Sequence, residues 1–128
     1  MKFVWIALGG ALGALTRYAV SEWCQQRFPM RFPIGTFLIN ISGCLLIGFV
    51  VTLLDTRLPG PSPWRYAIPI GFIGAYTTFS TFELEIFRAT QAHWGLIALG
   101  YLASSVILGF AGVWCGVLLG GAVSRLIA

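Results

Sequence analysis

The chain has 128 residues, of which 58% are hydrophobic and 9% charged, and its mean hydropathy is +0.87. A soluble domain carries about 25% charged residues, so this composition excludes a soluble globular domain and equally a disordered chain. The net charge of +4 does not indicate nucleic-acid binding, because the basic residues are scattered singly and form no basic patch. The three cysteines have no CxxC spacing and predict neither a disulfide framework nor a zinc site.

Four apolar segments follow one another along the chain, with short loops between them. They cover about residues 3–22, 34–54, 66–88 and 95–123, and each is near the roughly 20 residues that cross a bilayer. The loops are predicted at about residues 24–33, 55–63 and 89–94. The first segment resembles a signal peptide, but more apolar sequence follows it, so we interpret it as an uncleaved span. The sequence therefore predicts one all-α integral membrane domain over residues 1–128, with four transmembrane helices.

The third segment has an unusual middle. Its stretch GFIGAYTTFSTF, residues 71–82, contains two glycines, three threonines and one serine. Such a stretch is a poor continuous helix and a poor lipid-facing surface. Because broken backbone inside a membrane must be satisfied by protein or water, a break here predicts a ligand or ion site. The alternative is a polar helix buried within a bundle.

The basic residues are evenly divided between the two sides of the membrane. With four spans, Lys2, Arg57, Arg65 and Arg125 fall on one side, and Arg17, Arg27, Arg31 and Arg88 on the other. Orientation is normally set by an excess of Lys and Arg in cytoplasmic loops, and here there is no excess. We therefore predict that the chain inserts both ways up and forms an antiparallel homodimer. Alternatively, another signal fixes its orientation.

Catalytic motifs are missing from the sequence. It contains no P-loop, no GxGxxG and no HExxH, so we predict that the chain is not an enzyme. Of its four acidic residues, Glu22 and Asp55 fall at span ends, whereas Glu83 and Glu85 lie in the third segment.

Polar side chains inside the apolar segments are the candidates for function. Asn40, in the second span, either joins helices or donates its two amide N–H groups to an anion. Phe79 and Phe82 are three residues apart and lie on one helix face, where their ring edges carry partial positive charge. They are either core residues or contacts for an anion, and the hydroxyls of Ser80 and Thr81 lie beside them.

Three elements together resemble the Fluc (CrcB) family of fluoride channels: Gly35-Thr36 with Asn40, the stretch 71–82, and Tyr101 with Ser105. The resemblance covers nearly the whole chain. It implies a fluoride-selective passive channel in the cell membrane that exports toxic fluoride from the cytoplasm. It also implies an antiparallel, dual-topology homodimer with two pores, surrounded by membrane lipid.

The resemblance also implies roles for individual residues. The fluoride pore would be lined by Phe79, Phe82, Asn40, Tyr101, Ser105, Ser80, Thr81 and Glu85. The backbone carbonyls of Gly74 and Thr77 would hold a structural Na⁺ at the dimer centre, and Arg17 would lie near a wide vestibule. Two positions depart from the family pattern: Glu83 replaces a small polar residue, and Gly109 stands where a serine is expected.

Two other functions compete with a channel. A small proton-coupled multidrug-type exporter needs a carboxylate inside its first span, whereas Glu22 lies at the very end of that segment. A structural subunit without transport activity would not need a buried asparagine or the Phe-Ser-Thr-Phe track.

Overall fold

The computed structural model describes residues 1–127, which are helical apart from short loops. Ala128, the last residue of the predicted domain, lies outside the described residues. The elements are α1 (Lys2–Arg27), α2 (Ile34–Arg57), α3 (Pro63–Arg65), a π-helix (Tyr66–Ile73), α4 (Gly74–Tyr76), α5 (Phe79–Gln91) and α6 (Gly95–Leu126). The prediction of an all-α chain is confirmed for the described residues.

Helices α1, α2 and α6 are long and apolar enough to cross a membrane. Large apolar side chains on their outer surfaces are exposed, among them Leu15, Leu96 and Phe110. A soluble monomer rarely exposes so much contiguous apolar surface, whereas a bilayer covers it without cost. The chain is therefore a multi-pass membrane protein.

Helix α1 is longer than the sequence suggested. The loop predicted for residues 24–33 begins only after Arg27, and Cys24 lies inside the helix with no exposed surface. A Cβ placed on Gly35 would contact the Cβ of Cys24 at 3.4 Å, so this cysteine packs against the start of α2. That packing keeps the last turn of α1 helical up to the segment that contains Pro29 and Pro33.

Helices α2 and α6 pack through glycines. A Cβ on Gly48 would overlap the backbone of Val113, and one on Gly116 would overlap the carbonyl oxygen of Leu45. The two backbones are therefore close enough to exclude any side chain at these positions. Small residues of this kind are how helices in lipid gain van der Waals contact.

Helix α1 packs in the same way on the π-helix. Gly9 faces the carbonyl of Ala67 and Gly13 faces that of Phe72, with no room for a Cβ at either glycine. The π-helix contains Pro69, which has no N–H to donate to a carbonyl one turn earlier, as a regular α-helix requires. The wider turn and the glycine contacts together set the path of the chain toward α4.

The third predicted span is interrupted. Helix α4 ends at Tyr76, and Thr77 and Thr78 are extended, with φ/ψ of −77°/158° and −150°/118°. Helix α5 begins at Phe79, and its N-cap Thr78 accepts a hydrogen bond from the N–H of Thr81 at 3.3 Å. Residues 66–88 therefore form two helical pieces joined by a two-residue extended link, which we call the interruption.

Candidate functional site at the interrupted helix

Asn40 holds the interruption against α2. Its Nδ2 donates to the carbonyl of Thr78 at 3.0 Å, and its Oδ1 accepts from the N–H of Thr78 at 2.9 Å. One amide side chain therefore satisfies both backbone polar groups of Thr78, a residue that lies outside the helices. Because an amide nitrogen carries two hydrogens, one N–H of Asn40 remains for another partner.

Two further residues of α2 support the same region. The hydroxyl of Ser42 lies 2.9 Å from that of Tyr76, at the end of α4. Gly43 lies against the methyl group of Thr77, and a Cβ there would overlap it. Within one turn, helix α2 therefore contacts the interruption and the end of α4 through the amide of Asn40, the hydroxyl of Ser42 and the backbone of Gly43.

The interruption brings opposite partial charges together. It joins the carbonyl end of α4 to the N–H end of α5, a helix of 13 residues whose dipole makes this end positive. Since Thr77 donates to Ile73 and Thr78 donates to Asn40, no N–H within residues 1–127 is bonded to the carbonyl of Gly74 in the helical pattern. A cavity of about 290 Å³ beside the interruption is lined by Gly74, Thr77 and Asn40.

The two candidate phenylalanines differ in their surroundings. Their ring centroids are 6.1 Å apart, so they do form a pair on one face of α5. Phe82 is only 5% exposed and meets Tyr101 edge to face at 4.9 Å, whereas Phe79 is 73% exposed. Within one chain, Phe82 belongs to the interior and Phe79 points away from it.

Glu85 lies in a complete hydrogen-bond arrangement. Its Oε1 accepts from the hydroxyl of Thr36 at 2.7 Å and its Oε2 accepts from that of Tyr101 at 2.8 Å. Thr36 and Tyr101 are both buried. The carboxylate therefore ties α5 to α2 and to α6, immediately beside the ring of Phe82.

The remaining hydroxyls differ in what they already bind. Ser105 Oγ is buried and has no hydrogen-bond partner within the described part of the chain. The hydroxyl of Thr81 accepts from that of Thr78 at 3.0 Å, and Ser80 is exposed at the start of α5. Ser105 and Tyr101 are one turn apart on α6, so Ser105 supplies an uncommitted donor on the side of α6 that holds Glu85.

Arg17 lies beside the interruption. It lines a small cavity of about 180 Å³ together with Thr36, Thr78 and Thr81. A separate cavity, of about 410 Å³, lies farther along α5 and has Glu85 in its wall. Glu83 is exposed on α5.

Four residues of the site were given no role of their own from the sequence: Thr36, Ser42, Tyr76 and Thr78. Sequence signals could have pointed to two of them. Thr36 belongs to the Gly-Thr pair that carried part of the resemblance, and Thr78 belongs to the Thr-Thr pair at the predicted break. Ser42 and Tyr76 had no comparable signal, because their hydrogen bond joins residues 34 positions apart.

These features define a class of protein: a multi-pass α-helical membrane protein built around an interrupted helix with uncommitted hydrogen-bond donors. The family described as "CrcB-like protein, Camphor Resistance (CrcB)" matches residues 4–117, and the chain belongs to this family. The resemblance drawn from the sequence is confirmed.

Several curated relatives are similar over nearly their full length. A protein of Acidobacterium capsulatum is 53% identical over 123 residues, which are 96% of this chain and 98% of the relative. A protein of Solibacter usitatus is 47% identical over 119 residues, 93% and 98% of the two chains. One of Chloroflexus aurantiacus is 46% identical over 115 residues, 90% and 91%. Each of the three relatives is named "Fluoride-specific ion channel FluC".

Proposed function

We propose that this chain is a fluoride-selective passive ion channel that lets toxic fluoride leave the cytoplasm. The observation that carries the proposal is the 53% identity, over 96% of the chain, to a relative named as a fluoride-specific channel. The proton-coupled exporter gains no support, because the acidic residue of α1, Glu22, lies in the last turns of that helix.

The donors at the site suit a small anion. Fluoride is strongly hydrated, and removing its water is costly unless other groups replace the lost hydrogen bonds. Such groups are the remaining N–H of Asn40, the exposed hydroxyl of Ser80 and the hydroxyl of Ser105, which has no partner within residues 1–127. The ring edges of Phe79 and Phe82 add weak positive contacts between them, and the N-terminal end of α5 favours negative charge.

Glu85 does not need to touch the ion in this arrangement. A carboxylate repels an anion, and both of its oxygens already accept hydrogen bonds from Thr36 and Tyr101. We assign it the role of fixing the Tyr101 ring, which in turn contacts Phe82 at 4.9 Å. Thr81, whose hydroxyl is bonded to Thr78, lines the same track at the start of α5.

We propose that the working unit is an antiparallel, dual-topology homodimer with two pores and with the interruption near the middle of the membrane. The balanced basic residues support this, because they give the insertion machinery no bias. The 73% exposure of Phe79 supports it as well. One chain cannot enclose a path past this ring, whereas a second copy can cover it.

A structural Na⁺ at the dimer centre is compatible with the residues present. The carbonyl of Gly74 lacks a helical partner within residues 1–127, and Thr77 follows at the carbonyl end of α4. Oxygen ligands at such helix ends suit Na⁺. We propose that Gly74 and Thr77 of both copies hold the ion, which would supply fixed positive charge near the anion path.

The proposed function is tested by anion efflux from liposomes. Purified protein is reconstituted with fluoride or chloride inside, valinomycin and K⁺ clamp the voltage, and an ion-selective electrode records the anion outside. We expect fast fluoride efflux without chloride efflux and without any proton gradient. Folded, dimeric protein that passes neither anion would contradict the proposal. Efflux that requires a proton gradient would instead support the proton-coupled exporter.

The ring-edge contact is tested by Phe82→Ile. An aliphatic side chain fills much of the space but has no positive ring edge, so we expect fluoride efflux to fall about tenfold or more. The dimer should still elute as a single species. Phe87→Ile is the matched control, because Phe87 lies on the same helix and is exposed. Normal flux through Phe82→Ile would disprove the role of the ring.

Dual topology is tested by biasing insertion. Lysines added at one end of the chain favour one orientation, so a single biased variant should lose fluoride resistance in cells. Co-expression with the oppositely biased variant should restore it. A biased variant that stays fully active alone would show that antiparallel pairing is not required.

A further inference from the structure

The cavity of about 410 Å³ leads from the surface to the hydrogen-bond arrangement of Glu85. Its inner wall contains Thr36, Glu85 and Tyr101, and Tyr101 contacts Phe82 edge to face. Its outer part is lined by Arg31, from the loop between α1 and α2, and by Arg88, near the end of α5. An anion moving toward Phe82 through this cavity would therefore pass the side chains of both arginines.

Arg31 is held in place by an aromatic ring. Its guanidinium carbon lies 4.9 Å from the centroid of the Trp94 ring, within the range of a cation–π contact. Trp94 also lines the cavity. The contact restricts a long side chain that would otherwise move freely in water, so its charge stays at the cavity.

The charges that line the cavity do not cancel. Within residues 1–127, the ion pair closer than 4.0 Å joins Arg65 to Asp55, so neither Arg31 nor Arg88 has a carboxylate in direct contact. Glu85 is the carboxylate in the wall, and its two oxygens already accept hydrogen bonds. Two positive charges against one negative charge leave the lining positive. Low-dielectric walls focus such a field and raise the local concentration of anions.

We propose that Arg31, held over Trp94, and Arg88 collect fluoride at this mouth of the channel. The proposal rests on the proposed function and adds the residues that set the supply of the ion. A field of this kind is screened by salt, with a screening length of about 10 Å at 0.1 M. Its contribution should therefore be large in dilute solution and small in concentrated salt.

The test compares Arg31→Gln and Arg88→Gln with wild type in the liposome assay. Initial fluoride efflux is measured at about 10 mM and about 300 mM ionic strength, set by a salt of a large organic anion. We expect each variant to be about two- to fivefold slower than wild type at low ionic strength and close to wild type at high ionic strength. Arg27→Gln is the matched control, because Arg27 is an exposed arginine at the end of α1 and is not among the lining residues.

Two further variants separate charge from structure. Arg31→Lys keeps the charge and should keep most of the flux at low ionic strength. Ala92→Glu places a negative charge on the cavity lining without removing either arginine, and should slow efflux in the same salt-dependent way. An arginine variant that fails to fold will not elute as a single species. In that case Ala92→Glu still tests the proposal, because it changes the charge of the lining without removing either arginine.

The outcomes distinguish this inference from the proposed function. If vesicles with wild-type protein do not pass fluoride, both the proposed function and this inference are wrong. Wild-type vesicles that pass fluoride while Arg31→Gln and Arg88→Gln match Arg27→Gln at low ionic strength would overturn the inference alone. A loss of flux that is equally large at both ionic strengths would also overturn it, because a screened field cannot produce it.

Discussion

Helix α2 has two contacts that are built in opposite ways. Toward α6, it packs by bare backbone: Gly48 lies against Val113, and Gly116 of α6 lies against Leu45. Toward the interruption, it packs by hydrogen bonds, with Asn40 bound to Thr78 at 2.9 and 3.0 Å. The first contact has no hydrogen-bond donor for an ion, whereas the second leaves one N–H of Asn40 free to donate.

The difference assigns stability and transport to different regions. In lipid, close packing is a main source of helix association, while hydrogen bonds between helices average about 0.6 kcal/mol. The contact between α2 and α6 should therefore dominate folding. The interruption contributes less to folding and should dominate flux, because its polar groups are the ones that can replace water around an anion.

The largest effect is expected from Gly116→Val. The added Cβ alone would overlap the backbone of α2 at Leu45 and Phe49, and backbone cannot move aside as a side chain can. We expect a loss of about 4 kcal/mol or more, seen as aggregation instead of a single elution peak after extraction in detergent.

Two glycines of the same helix are matched controls for this variant. A Cβ on Gly100 or Gly121 of α6 would meet no heavy atom within 4 Å. Gly100→Ala and Gly121→Ala should therefore fold normally and conduct normally. Well-folded Gly116→Val protein would show that α2 and α6 do not pack as closely as the structure indicates.

A smaller effect on folding and a large effect on flux are expected from Asn40→Leu. The variant removes both hydrogen bonds to Thr78 and leaves the N–H and the carbonyl of that residue unpaired, at a cost of roughly 1–3 kcal/mol. It also removes the spare N–H, so we expect fluoride efflux to fall by about tenfold or more. Thermal unfolding in detergent and liposome efflux measure the two effects separately.

Thr56→Ala is the control for Asn40→Leu. It removes a polar group of α2 whose hydrogen bonds stay within the helix, to the carbonyls of Thr52 and Leu53. Its efflux should match wild type. If Asn40→Leu lowers thermal stability but leaves flux unchanged, Asn40 is a structural residue and its spare N–H has no role in transport.

The sequence predicted which residues form the site better than it predicted which partners they bind. Composition and segment length were sufficient for a helical membrane protein, and the Gly, Thr and Ser residues of the stretch 71–82 indicated a poor helix. The partners were not predictable, because Asn40 binds a residue 38 positions away and Thr36 reaches Glu85 across 49 positions. No local spacing rule reports contacts at such separations.

The same limit explains two other differences between sequence and structure. The π-helix around Pro69 has only eight residues. Over so short a stretch the apolar pattern of a π-helix is the same as that of an α-helix, so periodicity cannot distinguish the two. The extra turns of α1 depend on the burial of Cys24 against the start of α2, which is a tertiary contact. The Fluc resemblance supplied roles for individual residues, whereas composition and pattern alone left Asn40 and the phenylalanine pair with two interpretations each.

Ser105→Ala should separate stability from flux most sharply, although its total effect is the smallest of the three. Ser105 Oγ is buried without a partner among the described residues, so removing it should leave the free energy of unfolding unchanged or slightly raise it. Fluoride flux should nevertheless fall, by about three- to tenfold. The buried hydroxyl is free to donate a hydrogen bond to the passing ion, and such a bond helps to replace the water that the ion loses. Ser104→Ala is the control, since that hydroxyl already donates to the carbonyl of Tyr101 at 3.3 Å. A Ser105→Ala channel with wild-type flux would mean that the ion passes α6 without using this hydroxyl, and the polar track would then lie on α2 and α5 alone.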